Sequence, residues 1–175
     1  MVGLKSYIVA LPVVVFYLIF ASHVDASYDF CVTAMDKELC KKMVEGATYW
    51  DEAATKAITA ATQELAKAIE SGNPACKKSY KETEENLMES LETVGTIREG
   101  DKVGSLDLKL AAALTSLDDC TKALKGEPDA SAAKILNHSV EEAIRVCLAV
   151  SSSKVAASSS KSANSNASPS FTLIS

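Results

Sequence analysis

Residues 103–124, VGSLDLKLAAALTSLDDCTKAL, carry the clearest structural pattern in this chain. Their apolar side chains recur at alternating intervals of three and four, which places them on one face of an α-helix. The members of this stripe are Val103, Leu106, Leu110, Ala113, Leu117, Cys120 and Leu124. Gly126 and Pro128 follow, and both residue types commonly stand just beyond a helix end. The stretch therefore predicts an amphipathic helix that buries one side.

The sequence on either side predicts three more helices of the same kind. The first spans residues 51–71 and ends before Gly72-Asn73-Pro74, the second follows, and the fourth begins near Ser131. Their apolar stripes are Ala54, Ile58, Ala61, Leu65 and Ala68; Cys76, Tyr80, Thr83, Leu87, Leu91 and Val94; and Leu136, Val140, Ala143, Cys147 and Val150, the last widened by Ile135 and Ile144. Four helices of about 20 residues with short loops predict an all-α, antiparallel up-down-up-down four-helix bundle.

Composition and charge support this fold class and narrow the function. Gly and Pro together account for 11 of the 175 residues, too few for a turn-rich β-sandwich or barrel. The net charge of −5 and the pI near 5.1 argue against a general nucleic-acid binder, which needs a basic face. Residues 27–150 alone hold 15 basic and 22 acidic residues, a net charge of −7. Without runs of five or six like charges, this favours a solvated acidic surface over an acidic binding patch.

Both ends of the chain differ in composition from the body. Lys5 precedes an apolar run over residues 7–21, and Val24 and Ala26 fit a cleavage site, which together predict a secretory signal peptide over residues 1–26. A retained membrane anchor is the alternative, but a span needs about 20 apolar residues. Residues 151–175 are rich in Ser, Ala, Lys and Asn and predict a disordered tail. We therefore expect a secreted bundle domain over residues 27–150, with no membrane partner after cleavage.

The cysteines test the predicted topology. Cys76 and Cys120 have their midpoint at residue 98, beside the turn predicted at Gly100-Asp101, so an antiparallel hairpin brings them together as a disulfide. Cys31 and Cys40 would lie about 13 Å apart along a continuous helix. That is too far for a disulfide, so their pairing requires a chain reversal, and the spacing leaves it open. Cys147 lies on the apolar face of the fourth helix and is interpreted as a buried free thiol.

Enzyme chemistry is not indicated. His138 is the one histidine after residue 26, so neither a metal cluster nor a nucleophile–histidine arrangement can be argued. The sequence therefore predicts no catalytic activity, no metal and no cofactor. Asn137-His138-Ser139 and Asn166-Ala167-Ser168 are N-glycosylation motifs, so Asn137 and Asn166 are predicted sites. Use of Asn137 requires that its side chain be exposed.

These features resemble the plant invertase and pectin methylesterase inhibitor family. The family has a cysteine pair separated by eight residues, as Cys31 and Cys40 are, and a third cysteine followed by Tyr and Leu, as Cys76 is by Tyr80 and Leu87. A small-residue run precedes its fourth cysteine, as residues 111–114 precede Cys120, and an unpaired fifth cysteine corresponds to Cys147. The resemblance covers about residues 28–150. It implies a short N-terminal helical hairpin closed by Cys31–Cys40 before the disulfide-braced bundle.

The chain also departs from the family pattern. Its stretch between Cys40 and Cys76 is shorter than is usual, and residues 28–32 also resemble the surroundings of the family's second cysteine, an alignment on which Cys40 is extra. Invertase inhibitors resemble one another in a Gly-Asp-Pro-Lys-Phe stretch, of which Gly100-Asp101-Lys102-Val103 retains the lysine. Pectin methylesterase inhibitors often carry Thr where this chain has Asp119. Lys102 and Asp119 are therefore weak candidates for partner contacts.

Two function classes follow from the resemblance. The first is a secreted inhibitor of a cell-wall carbohydrate-active enzyme, pectin methylesterase or acid invertase, which covers the substrate cleft of its target. The second is a non-inhibitory secreted bundle that binds another protein or a small apolar ligand. The oligomeric state is left open.

Overall fold

The protein is described by a computed structural model over residues 29–98, 103–128 and 130–165, with side chains described as far as residue 154. The signal peptide predicted for residues 1–26 lies outside these ranges, as do the candidate contact Lys102 and the glycosylation motif at Asn166.

Five α-helices make up the described structure, and its residues form no strand. They are α1 (Lys37–Met43), α2 (Trp50–Glu70), α3 (Lys77–Thr96), α4 (Gly104–Ala123) and α5 (Ser131–Ser165), with a 3₁₀ turn over Pro74–Cys76. Two disulfides, Cys31–Cys40 and Cys76–Cys120, brace them. The predicted all-α, disulfide-braced fold class is confirmed. Among the described residues, no helix is both long and apolar enough to cross a membrane.

Helices α2 to α5 pack in cyclic order, each against its two neighbours. The disulfide joins the residue before α3 to the last turn of α4, so these two helices are antiparallel. Asp107 at the start of α4 contacts Ser151, whereas Thr121 near its end contacts Asn137, so α4 and α5 are antiparallel as well. Trp50, which opens α2, donates to the Val150 carbonyl near the middle of α5. The short loops between the helices agree with this arrangement.

The bundle core consists largely of the predicted stripes. Of their members, Leu91 and Leu136 are half-buried and the others are buried. The widening of the last stripe is right at Ile144, which is fully buried, and wrong at Ile135, whose side chain is 68% exposed. The buried positions in the first turns of α5 are Ala133, Asn137 and Val140, and this spacing turns Ile135 to the opposite side.

The helix α5 continues through the segment where composition predicts a disordered tail. It ends at Ser165, so residues 151–165 are helical in the structure where a disordered tail is predicted, and residues 166–175 lie outside the described ranges. Ser151 and Ser153 are fully buried, and their hydroxyls donate to the Asp107 carboxylate and the Val150 carbonyl, at 2.6 and 2.7 Å. Small side chains with satisfied hydroxyls therefore extend the buried stripe, although their composition is typical of disorder.

The N-terminal segment reverses direction around its disulfide. Asp29 accepts a hydrogen bond from the Cys31 amide at 3.0 Å, and Asp36 caps α1 by accepting from the Leu39 amide at 2.8 Å. Residues 29–43 thus form a turn and one seven-residue helix, rather than two helical arms. The reversal places the Cα atoms of Cys31 and Cys40 5.8 Å apart, as a disulfide requires.

Candidate functional site

The outer surface of α3 and α4 is the open side of the bundle. Within the described residues, α1 packs against α2 and α5 but not against α3 or α4. The exposed or half-exposed side chains in the middle of this side define the α3–α4 face: Glu84, Glu85, Met88, Glu89 and Glu92 on α3, and Leu108 and Lys109 on α4. No other described helix covers this face.

A disulfide and an ion pair connect α3 to α4 and fix the position of one helix relative to the other. The Cys76–Cys120 disulfide brings the Cα atoms of its cysteines to 4.7 Å at one end of the pair. Glu89 and Lys109 form an ion pair across the exposed surface nearer the other end. Leu87 and Leu110 are fully buried beneath the face. The face is therefore preorganised, which limits the conformational entropy that a binding partner would remove.

Two large apolar side chains stand out of this face. The Met88 side chain is 56% exposed and the Leu108 side chain is 69% exposed. Each directly precedes one member of the Glu89–Lys109 ion pair, so the two lie at the same level of the helix pair. Methionine is enriched in protein interfaces because its flexible thioether adapts to a partner surface. This level of the face therefore carries two exposed apolar side chains beside the charged Glu89–Lys109 pair.

The charges on α3 run against the helix dipole. Lys77 and Lys78 occupy its first turn without an acidic residue, and its last turn holds no basic residue. Glu85 pairs with Lys81 at 3.6 Å, whereas Glu84 and Glu92 form no ion pair among the described residues. Acidic groups near a helix C-terminus are unfavourable by a few tenths of a kcal/mol or about 1 kcal/mol each. The four glutamates of the face outnumber its one lysine, so the face carries a net negative charge.

The candidate contacts from the sequence lie away from this centre. Asp119 is exposed near the end of α4 and pairs with Lys122 at 3.1 Å, about 16 Å along the helix from Leu108. The same lysine hydrogen-bonds to Asp118 and lowers the pKa of that carboxyl group. Lys102 lies outside the described residues, although Val103, which follows it, is buried at the start of α4.

The predicted glycosylation at Asn137 does not fit the structure. Its side chain is only 2% exposed, and its Nδ2 atom donates to the Thr121 hydroxyl at 2.7 Å and to the Leu117 carbonyl at 3.3 Å. A glycan would be attached to that same nitrogen atom, so it would have to replace these bonds and enter the contact between α4 and α5. The glycosylation motif of residues 137–139 is therefore present, but the asparagine that would carry the glycan is not accessible.

Nucleophile and metal chemistry find little support in the described residues. Cys147 is a buried free thiol, and its burial raises the pKa far above the usual value, which disfavours the reactive thiolate. His138 is exposed and faces Glu142 at 3.4 Å. Within residues 29–98, 103–128 and 130–165, no three His, Cys, Asp or Glu side chains are grouped so as to hold a metal ion.

An open groove of about 660 Å³ lies on the opposite side, between α1, α2 and α5. Leu39, Met43 and Ala143 form part of its wall, but Lys42, Lys56, Glu64 and Glu142 line it too. A site for a small apolar ligand is expected to be mostly apolar and enclosed. The charged lining and the open shape of this groove do not favour such a ligand.

Sequence reasoning missed the two apolar residues of the α3–α4 face. Leu108 falls two positions after Leu106 and two before Leu110, so it lies off the buried stripe. Met88 likewise follows a buried leucine directly. An apolar residue out of phase with an otherwise regular stripe was the available signal for both.

Comparison with known proteins places the fold. No protein-family model matches the chain, and no curated protein matches it either. Among solved structures, it is similar to a mutant form of a pectin methylesterase inhibitor from Arabidopsis, with a TM-score of 0.56 and 18% sequence identity. The match covers 70% of this chain and 92% of that inhibitor. The resemblance read from the sequence is confirmed for the fold: this chain has the disulfide-braced helical fold of a pectin methylesterase inhibitor.

Proposed function

We propose that this protein is a secreted proteinaceous inhibitor of pectin methylesterase that covers the substrate cleft of the enzyme. The observation that carries the proposal is the structural match, which extends over 92% of a pectin methylesterase inhibitor. Acid invertase is the second target that the sequence resemblance implies. Pectin methylesterase is favoured because the matched protein inhibits that enzyme, and because the stretch around Lys102 lacks the Pro and Phe of invertase inhibitors.

The α3–α4 face is the surface proposed to enter the contact. Its exposed side chains Met88 and Leu108 supply apolar area that becomes buried on binding, and the fixed helix pair keeps the entropy cost small. Its glutamates favour a target whose cleft is rimmed by basic side chains, because complementary charges speed association and select the partner. No chemical step is required of the inhibitor, since excluding the substrate is sufficient.

A location in the plant cell wall is part of the same proposal. The predicted signal peptide directs the chain to the secretory pathway, and the two disulfides fit the oxidising conditions met there. Pectin methylesterase acts on a polymer of the cell wall, so inhibitor and enzyme would meet outside the cell.

Titration of the purified mature protein into assays of pectin methylesterase and acid invertase tests the proposal. We expect inhibition of pectin methylesterase at micromolar protein or below, and no inhibition of acid invertase. Undiminished activity of both enzymes would contradict an inhibitory function. The alternative, a non-inhibitory secreted bundle that binds another partner, would then remain. Inhibition of invertase alone would reassign the target.

Paired substitutions test the α3–α4 face in the same assay. The variant Met88→Ser/Leu108→Ser removes both exposed apolar side chains of the face without changing the charge and is expected to weaken inhibition about tenfold or more. The control Met35→Ser/Ile135→Ser makes the same kind of change at two exposed apolar side chains, 93% and 68% exposed, that lie elsewhere. Equal inhibition by both variants would place the contact on another surface.

A further inference from the structure

Lys154 joins three parts of the molecule at one end of the bundle. Its ammonium group donates to the Arg98 carbonyl at 2.6 Å, two residues beyond the end of α3. The same group lies 4.7 Å from the centre of the Trp50 ring, at the start of α2. The indole Nε1 of Trp50 in turn donates to the Val150 carbonyl at 2.9 Å. Lys154 thus lies over the Trp50 ring, and its own helix fixes that ring by accepting the indole hydrogen bond at Val150.

Ser151 extends the same contact to the start of α4. Its hydroxyl is fully buried and donates to Asp107 at 2.6 Å, one residue before the exposed Leu108. Residues 150–154 of α5 therefore contact the first turn of α2, the end of α3 and the first turn of α4. We name this set of contacts the clasp, formed by Trp50, Arg98, Asp107, Ser151 and Lys154.

The clasp uses interactions that are stronger than average surface contacts. A charged donor makes a stronger hydrogen bond to a carbonyl than a neutral donor does. A cation over a tryptophan ring gains further, and more so where it is partly removed from water. Lys154 is half-buried, so both effects apply to its ammonium group. Two members of the clasp, Ser151 and Lys154, lie in the segment where composition predicts disorder, so their interactions supply a reason for order there.

We propose that Lys154 is a positioning residue for the α3–α4 face. It fixes the Arg98 carbonyl after the end of α3, while Ser151 on the same helix fixes the first turn of α4. Together they hold the two helix ends that set the separation of α3 and α4 opposite the Cys76–Cys120 disulfide. The effect of this positioning on inhibition rests on the proposed function, whereas the positioning itself can be measured without it.

Limited trypsin digestion measures the positioning directly. Trypsin cuts after Arg98, and to do so it must take the Arg98 carbonyl away from Lys154 into its own oxyanion hole. The variant Lys154→Met keeps the length of the side chain but removes the donor and the charge. We expect it to be cut after Arg98 about fivefold faster than the wild type, the effect of one net hydrogen bond.

Matched controls separate positioning from general loosening. Lys154→Arg retains a cation and donors, so its cleavage rate after Arg98 should return toward that of the wild type. Lys134→Met makes the same change at an exposed position of α5 and should leave the rate unchanged. Cleavage after Lys125, in the loop that follows α4, is the internal reference in every digest. Equal rates after Arg98 in Lys154→Met and the wild type would overturn the positioning role.

Inhibition assays of the same variants test the link to the face. Lys154→Met should inhibit pectin methylesterase several times more weakly than the wild type, and Lys154→Arg should restore most of the loss. Faster cleavage together with unchanged inhibition would overturn the link between the clasp and the face. A wild-type protein that inhibits neither enzyme would refute the proposed function, and the digestion rates would still decide the positioning role.

Discussion

The side-chain amide of Asn137 lies inside the protein, where Nδ2 donates hydrogen bonds to the Thr121 hydroxyl and the Leu117 carbonyl. A three-residue motif cannot reveal this, because the motif specifies chemistry and not burial. The helical period could have revealed it: Ala133, Asn137, Val140 and Ile144 are spaced four, three and four apart. A single polar residue within an apolar stripe is therefore a signal of an internal hydrogen bond rather than of a modification site.

Two substitutions test this reading of Asn137. The wild type, expressed through a secretory pathway, should show no glycan on the peptide that contains Asn137, and Ser139→Ala should have the same glycosylation at that peptide. Asn137→Ala should lower the free energy of unfolding by about 1–2 kcal/mol, because it removes the two hydrogen bonds that this buried side chain donates. Mass spectrometry with and without glycosidase, and urea denaturation, measure the two effects. A glycan at Asn137 of the folded protein would contradict the structure.

At the scale of the helix, the charges of α3 lead to a prediction at Glu92, about one turn before the end of the helix. Glu92→Lys should raise the free energy of unfolding slightly, by about 0.3 kcal/mol or more, since it places a cation near the C-terminal end of the helix. The same change should weaken inhibition of pectin methylesterase severalfold, mainly through slower association. Urea denaturation and stopped-flow association rates measure the two effects.

Glu70→Lys is the matched control for that prediction. It makes the same charge change at the last residue of α2, away from the α3–α4 face, and should also stabilise the helix. Inhibition should stay at the wild-type level. If the two variants lose inhibition equally, net charge rather than the α3–α4 face controls the contact.

The two disulfides close loops of different length. This difference predicts which of the two stabilises the protein more. Cys76–Cys120 closes a separation of 44 residues, and Cys31–Cys40 a separation of 9. On the chain-entropy model, Cys76→Ala/Cys120→Ala should lower the free energy of unfolding by about 4 kcal/mol, and Cys31→Ala/Cys40→Ala by about 2.5 kcal/mol. Denaturant unfolding of the two variants gives the comparison. A larger loss from the N-terminal pair would show that it supports more than its own segment.

The helices were predictable to different degrees. The stripe of α4 is regular and punctuated by Gly126, which takes a positive φ of 91°, so both the helix and its end could be read from the sequence. The length of α5 could not, because Ser and Ala at residues 151–165 carry no periodic apolar signal. Order in residues 150–154 depends on contacts with α2, α3 and α4, which are distant in sequence.

At the scale of the whole molecule, the sequence predicted the bundle better than it predicted the candidate site. Mirrored cysteines around residue 98 indicated the antiparallel hairpin, and the structure joins them as a disulfide. The α3–α4 face could not be predicted from the sequence, because it is the side of the bundle that α1 leaves uncovered. The position of α1 depends on packing between helices. Exposed Met88 and Leu108 gain significance only once that open side is known.

Competition between this protein and pectin for the enzyme tests the central claim most directly. The apparent inhibition constant for pectin methylesterase should be measured over a range of pectin concentrations, with binding to the enzyme followed in parallel by calorimetry. Because the claim is that the bundle covers the substrate cleft, the apparent constant should rise linearly with pectin concentration, and pectin fragments should displace the protein from a one-to-one complex. A lack of binding, or a complex that still accepts pectin fragments, would contradict the account.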